Sequence, residues 1–306
     1  MLLLAFNRPR LTAENLERIL AARPERLYVA MDGPRPDVPG DAAACAEVRA
    51  AVAGVADRVS LVTDAAPRNL GLRARVVSAL DWVLAEEESV VVLEDDCHPA
   101  PDFFPFMQAM LHRFAADERV GSVCGSTAVG LTRRGPRFDY DYHFSQVGLP
   151  WGWGTWRRAW RDYDRELMCW PELRRSGVLE QMMGPVAARQ WRRMLDHADS
   201  YSSWWVRWLM SLWASGRLSV VPRVNLVANR GVGEAATHTR AGSVYARFAE
   251  LPVGALPEVL RHPPYFARDP ELDRITLEAL LPWSDARRQL RKLVVEGPLA
   301  LKYRLR

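Results

Sequence analysis

Over the first 126 residues, short apolar runs alternate with stretches whose apolar residues recur at helical spacing, the pattern of a parallel sheet flanked by helices. Leu2 to Phe6 predicts a strand that stops at Asn7 and Arg8. A helix is expected from Thr12, with the Thr12 hydroxyl capping free amides, Leu11 packing on Leu16, and Leu16, Ile19 and Leu20 forming the buried stripe. Leu27 to Met31 predicts a second strand, closed by the turn Asp32-Gly33-Pro34. A helix through Cys45 to Val52, a strand from Val59 to Thr63, and a helix from Leu72 to Leu84 follow. Ser89 to Leu93 is valine-rich without polar alternation, so it is expected to be covered on both faces and to lie at the centre of the sheet. Asp102 is read as the cap of a helix carrying Phe103, Phe106, Met107, Met110 and Leu111, and Val120 to Cys124 as a further strand.

Beyond Gly125 the pattern changes. Turn residues and aromatics crowd together, and nine of the twelve tryptophans fall between Trp151 and Trp208, so this half has a different task. Helices are expected at about 184 to 198 and 203 to 215, then a strand from Leu218 to Val221 ended by Pro222. The fold class is therefore α/β. Residues 1–126 form one half of a domain and 127–250 the other, with 251–306 as a helical C-terminal extension.

Composition narrows the classes. With 49% hydrophobic and 25% charged residues the chain has ample core. The apolar start is interrupted well short of a bilayer span, and without a basic leader or cleavage site it reads as a strand rather than a signal peptide. Cys45, Cys97, Cys124 and Cys169 show no paired spacing, which argues against a zinc site or disulfide framework and gives a cytoplasmic setting as the default. A formal charge of +4, mostly from scattered arginines and with no nucleic-acid motif, favours phosphate ligands over nucleic acid. Basic residues of the tail, Lys292, Lys302, Arg304 and Arg306, fit either a solvated helix or peripheral contact with the inner face of an anionic membrane.

The chemistry concentrates at Glu94-Asp95-Asp96. Three consecutive carboxylates at the mouth of a buried strand repel one another, and a divalent cation is the simplest compensation, the alternative being an acidic strand end facing water. In an open α/β sheet, ligands collect beyond the carboxyl ends of strands, the rim that Asn7, Arg8 and Asp32 would share. Hard oxygen ligands select Mn2+ or Mg2+, which complete their shell with water and substrate phosphates. Arg68-Asn69-Leu70-Gly71 precedes a helix whose free amides, with Arg73 or Arg75, suit a diphosphate. Trp151, Trp153 and Trp156 in a Gly-rich loop are either an acceptor platform for sugar rings or a structural corner. His238, in a small polar loop, is a candidate for metal or phosphate, although a lone histidine is usually neither.

Taken in order, LLLAFNRP, YVAMDGP, RNLGL, VVVLEDDCHPAPDFF, PWGWGTWRRAW and VPRVNLVANRGVGEAATHT resemble the GT-A glycosyltransferases of the family 2-like bacterial group, over roughly residues 2 to 240. The resemblance implies a GT-A-like fold, a nucleoside-diphosphate sugar donor, Mn2+ or Mg2+, and transfer to a glycan or lipid-linked acceptor. On it, Asn7, Arg8 and Asp32 meet the nucleoside, Asp95 its ribose and Asp96 the metal, with His238 near the diphosphate. One departure stands out: where similar sequences read W-D-Y-Q-W, this chain has Trp204-Trp205-Val206-Arg207-Trp208. A carboxylate fit to be the catalytic base is thus a tryptophan, and Asp199 is the nearest substitute. Inverting transfer is the leading expectation, with a degenerate nucleotide-sugar- or partner-binding relative as the alternative. A sugar nucleotidyltransferase would need a glycine-rich, lysine-containing loop where Asn7-Arg8-Pro9 stands.

Overall fold

A computed structural model describes residues 1–131, 139–200, 202–231, 248 and 251–280. Its strands are β1 (Leu2–Ala5), β2 (Arg26–Met31), β3 (Ser60–Ala65), β4 (Ser89–Glu94), β5 (Cys97–Pro99), β6 (Val120–Cys124), β7 (Tyr142–Ser145), β8 (Trp153–Trp156), β9 (Leu218–Pro222) and β10 (Val227–Asn229). Its helices are α1 (Pro9–Ala21), α2 (Asp41–Ala53), α3 (Leu72–Glu86), α4 (Phe103–Arg113), α5 (Arg157–Trp160), α6 (Trp170–Arg175), α7 (Val178–Asp196), α8 (Trp205–Ala214) and α9 (Pro270–Leu280).

Eight strands form one sheet in the order β3-β2-β1-β4-β8-β6-β9-β7, and β5 pairs with β10 as a separate antiparallel ribbon. β3, β2, β1 and β4 are mutually parallel, β8 runs against both β4 and β6, and β7 runs against β9. Side chains alternate between faces along a strand, so the apolar runs 90–93 of β4 and Leu2–Ala5 of β1 answer to a core on each face of the sheet. Leu2 and Leu4 of β1 join one core with Val76, Leu80 and Val83 of α3 and the indoles of α8, while Leu3 and Ala5 join the other with α1, α2 and α4. The result is a mostly parallel sheet between two helical layers, consistent with a GT-A-like fold, with β4 interior to it.

Local corrections follow from tertiary contacts. Thr12 lies inside α1, which opens at Pro9, and its hydroxyl donates back to the Arg8 carbonyl at 2.9 Å instead of capping. Asp102 precedes α4 without capping it, because its Oδ2 accepts the Leu256 amide at 2.9 Å. The predicted helix near 184 starts earlier, at Val178, and breaks at Gly184 (φ 77°) before Pro185. The Met182 carbonyl there accepts bonds from Gln146 and Arg268. Among the described residues, no helix is long and apolar enough to cross a membrane. The basic tail lies outside the described residues.

Candidate active site

β4 ends at Glu94, so Glu94, Asp95 and Asp96 emerge at the carboxyl rim between β1 and β8. They line a cavity of about 560 Å³. The loop after β1 supplies Phe6 and Arg8 to its wall, and Asp32 stands there directly after β2. Pro150, Trp151, Ser202, Ser203, Trp204 and Trp205 close the opposite side.

The acids do not face bulk water. Asp95 is 5% exposed, and its Oδ2 accepts the Phe6 amide at 3.1 Å. A single nitrogen of Arg8, Nη1, donates to Asp95 Oδ1 at 2.7 Å and to Asp96 Oδ2 at 2.9 Å. Asn15, fully buried on α1, holds the Glu94 carbonyl at 2.9 Å and so fixes the helix against the strand end. Burial works against the charge on Arg8, but Asp95 and Asp96 outweigh it and hold the guanidinium above its ordinary pKa. At Glu94 burial, reinforced by Asp96 and Asp95, outweighs the pull of Arg8 and pushes the carboxyl up to about 8. Burial also raises Asp95, with Arg8 opposing. The sequence left Arg8 as a nucleoside contact and the charge balance to a metal. In this structure Arg8 itself compensates the acid pair.

Two atoms of the acid pair converge on one positive nitrogen, and both are carboxylate oxygens, the donor type that Mn2+ and Mg2+ select. The residues therefore fit a divalent cation with few protein ligands. Among the described residues no cluster of three or more His, Cys, Asp or Glu could cage an ion, so such a cation would depend on water and phosphate for the rest of its shell. His238 lies outside the described residues.

Asp32 is buried and fully engaged. Its two oxygens accept the amides of Gly33 (2.8 Å), Leu70 (2.8 Å) and Gly71 (3.2 Å) and the side-chain amide of Asn69 (3.0 Å). A carboxylate offers about four lone-pair sites, so Asp32 fastens the 68–71 loop to the end of β2 and has no site left for a nucleobase in this state. The Leu70 and Gly71 amides are likewise spoken for.

Of the sequence-predicted residues, the cavity gathers Arg8, Asp32, Asn69, Gly71, Arg75, Asp95, Asp96 and Trp151. Arg75 lines it, but its guanidinium is tied to Asp64 at 2.6 Å, and Arg68 is exposed outside it. Asn7 donates to Asp41 at 2.7 Å and does not line the cavity. Trp153 and Trp156 are corrected outright. Three positions apart on β8, they point to opposite faces of the sheet, are 2% and 3% exposed, and belong to the two cores. Trp153 stacks on Trp204 with centroids 4.9 Å apart, and Trp156 donates to the Leu111 carbonyl, so neither can meet a sugar. Gly152 makes the turn into β8 with φ +60°, and a Cβ there would lie 2.7 Å from Val227.

Asp199 is also corrected. Arg207 holds it at 2.5 Å and Arg73 at 3.4 Å, with the carboxylate 94% exposed and absent from the cavity wall. Trp205 occupies the wall, buried, with its indole N–H donated to the Gly148 carbonyl at 2.9 Å.

Sequence reasoning missed Arg35, Asn15 and Gly231. Arg35 sits 5.3 Å over the Phe6 ring at the cavity edge and grips Asp41 through Nε at 2.6 Å, which holds the Asp41 carboxyl down to about 2. The signal for it was the arginine directly after the strand-closing Asp-Gly-Pro. Gly231 follows β10, where the Arg230 amide donates to the Asp96 carbonyl at 2.8 Å, and a Cβ on Gly231 would come within 2.0 Å of Asp96 Oδ2. The ribbon thus brings the backbone of the second half into contact with the acid pair.

No known protein family's sequence profile matches the chain, and no curated protein matches it in sequence. A solved structure to which it is similar is the mannosyltransferase PcManGT from Pyrobaculum calidifontis, in complex with GDP-Man and Mn2+. The two share 18% identity over 50% of this chain and 43% of that one, with a TM-score of 0.34. The chain thus spans less than half the length of that structure, and a likeness so loose adds nothing to the geometry above.

Proposed function

We propose that the protein is a metal-dependent glycosyltransferase that takes a nucleoside-diphosphate sugar as donor and transfers the sugar, with inversion, to a glycan or lipid-linked acceptor. The observation that carries this reading is the convergence of Asp95 and Asp96 on one cationic position, at the carboxyl end of the central strand, in a cavity with an indole wall opposite. The ordered sequence resemblance points the same way.

Asp96 would hold Mn2+ or Mg2+ together with the donor diphosphate, and the ion would supply neutralisation of the departing charge. Phe6, Arg35 and the 69–72 segment form the end of the cavity suited to the nucleoside, while Trp151 offers a ring face to the sugar and acceptor. Direct displacement breaks the bond from the anomeric carbon to the diphosphate, forms one to the acceptor oxygen, and sends the acceptor proton to a base. The carboxylates among the described cavity-lining residues all belong to the acid motif or to Asp32. Charge neutralisation and positioning therefore carry most of the acceleration, since a base contributes about 10²- to 10⁴-fold.

Asp96→Ala tests the site. Released nucleoside diphosphate is measured with Mn2+ and a panel of donor sugars, with and without acceptors, and the variant is expected to lose both turnover and Mn2+-dependent donor binding. Full activity in Asp96→Ala would refute the assignment. The second reading, a relative that binds donor without transferring sugar, is favoured by one observation: Trp205 fills the place of the base and Asp199 is turned away to Arg207. Donor binding with no release of nucleoside diphosphate under any acceptor would select it. Pyrophosphate release from a nucleoside triphosphate would instead indicate a nucleotidyltransferase.

A further inference from the structure

We propose that Arg8 is the resident cation of the acid pair: it holds Asp95 and Asp96 while no metal is bound, yields the position when a divalent ion enters, and thereby sets how tightly the site takes metal. The inference rests on the proposed metal site at Asp96.

Three observations carry it. The same nitrogen, Nη1, lies within hydrogen-bond distance of an oxygen from each carboxylate, so the guanidinium stands between them where a shared cation would stand. Both acids have anchors besides Arg8, the Asp96 carboxylate through its Oδ1, which accepts the Cys97 thiol at 3.6 Å. Asp95 Oδ2 is held by the Phe6 amide, and the Asp96 backbone by the Arg230 amide, so the pair does not need Arg8 for its geometry. Arg8 also has somewhere to go: its side chain is 20% exposed on the cavity wall, at the start of α1. A guanidinium and a divalent ion cannot both occupy the space between two oxygens, and charge repulsion between them adds to the exclusion. Metal affinity therefore equals the intrinsic affinity of the acids less the cost of detaching Arg8. A donor diphosphate offers the displaced guanidinium a new anionic partner, which couples donor and metal binding in the same direction.

Binding of Mn2+ alone is followed by the electron paramagnetic resonance signal of the free ion, at pH 8 without nucleotide. The comparison includes wild type, Arg8→Ala, Arg8→Lys and Asp96→Asn, each first shown by circular dichroism to be folded. Loss of two charge-assisted bonds that oppose metal entry predicts that Arg8→Ala binds Mn2+ about tenfold to a hundredfold more tightly than wild type. Arg8→Lys, which keeps a cation in place, stays within about threefold of wild type, and Asp96→Asn binds none at the site. Equal or weaker binding by Arg8→Ala, with wild-type binding that still depends on Asp96, overturns the role of Arg8 alone. If Arg8→Lys binds as tightly as Arg8→Ala, space and not charge governs the affinity, and the proposal fails. Binding that survives Asp96→Asn, or no binding by any variant, overturns the metal reading itself.

Discussion

Replacing Gly231 with alanine probes the contact on which the acid pair depends. A Cβ at this position would lie 2.0 Å from Asp96 Oδ2, 2.7 Å from Cγ and 2.9 Å from Cβ. Rotating the Asp96 side chain moves the first two atoms away but cannot move its own Cβ, so the backbone at residue 231 or 96 has to shift. Gly231 is not among the glycines with positive φ, which makes the substitution a steric test free of conformational strain. The link between the two segments is the Arg230 amide on the Asp96 carbonyl, and it is the first bond such a shift stretches. Overpacking of this kind costs about 1–3 kcal/mol. For a chain of this size that lowers the melting temperature by about 2–6 °C. A ligand at a hundred times its Kd stabilises the native state by about 2.7 kcal/mol, so the wild type should show a clear upward shift with MnCl2 and nucleoside diphosphate. The assay is a thermal melt of both proteins with and without that mixture. Gly231→Ala is expected to start a few degrees lower and to lose the ligand shift. A variant that melts with the wild type and keeps the full shift would show that residues 231 and 96 do not touch as described.

Three further outcomes are expected. Trp153→Ala removes a buried indole stacked on Trp204 and should cost about 3–5 kcal/mol in urea unfolding, whereas Trp151→Ala on the cavity wall should mainly raise the acceptor KM. An unchanged acceptor KM in a folded Trp151→Ala would remove this residue from the acceptor surface. Burial pushes Asp273 up to about 6 against the pull of Ser145 and Arg268, so its folded pKa exceeds the unfolded one. Its stabilising contribution is then present below about 3.8 and lost as pH rises through about 6, up to about 3 kcal/mol. The melting temperature of Asp273→Asn relative to wild type should accordingly improve between pH 4.5 and 7.5, and a gap that stays constant would contradict the shift.

The strands were legible because an all-apolar run flanked by amphipathic stretches admits few arrangements. Ser89 to Leu93 and Val120 to Cys124 lie where the pattern put them, the former extended by Glu94. The acid motif was legible as a run of charge ending an apolar strand. What sequence could not supply were pairings made by the fold. Arg8 and Asp95 are 87 positions apart, and only the parallel pairing of β1 with β4 brings them together. For Trp153 and Trp156 the sequence left a sugar platform and a structural corner open, because glycine and indole signal a loop; in β8, paired along both edges by β4 and β6, the two indoles enter the cores on opposite faces of the sheet. The C-terminal extension was expected to be helical, but its prolines and arginines hid where the helix lies: in α9 Leu272, Thr276, Leu277 and Leu280 recur at helical spacing and are buried.

The reversal of strand direction at β8 has a consequence for how the protein can diversify. Because β8 starts where β4 finishes, the segment leading into it, with Pro150 and Trp151, reaches the cavity from the other side of the direction change than do Phe6, Asp32 and the 68–71 loop. One bank is served by the ends of parallel strands and the other by the entry to a reversed strand and to α8. Loops can thus be exchanged on the second bank while the first keeps its shape, so that half of the cavity can be relined by swapping segments of a few residues within one unchanged scaffold.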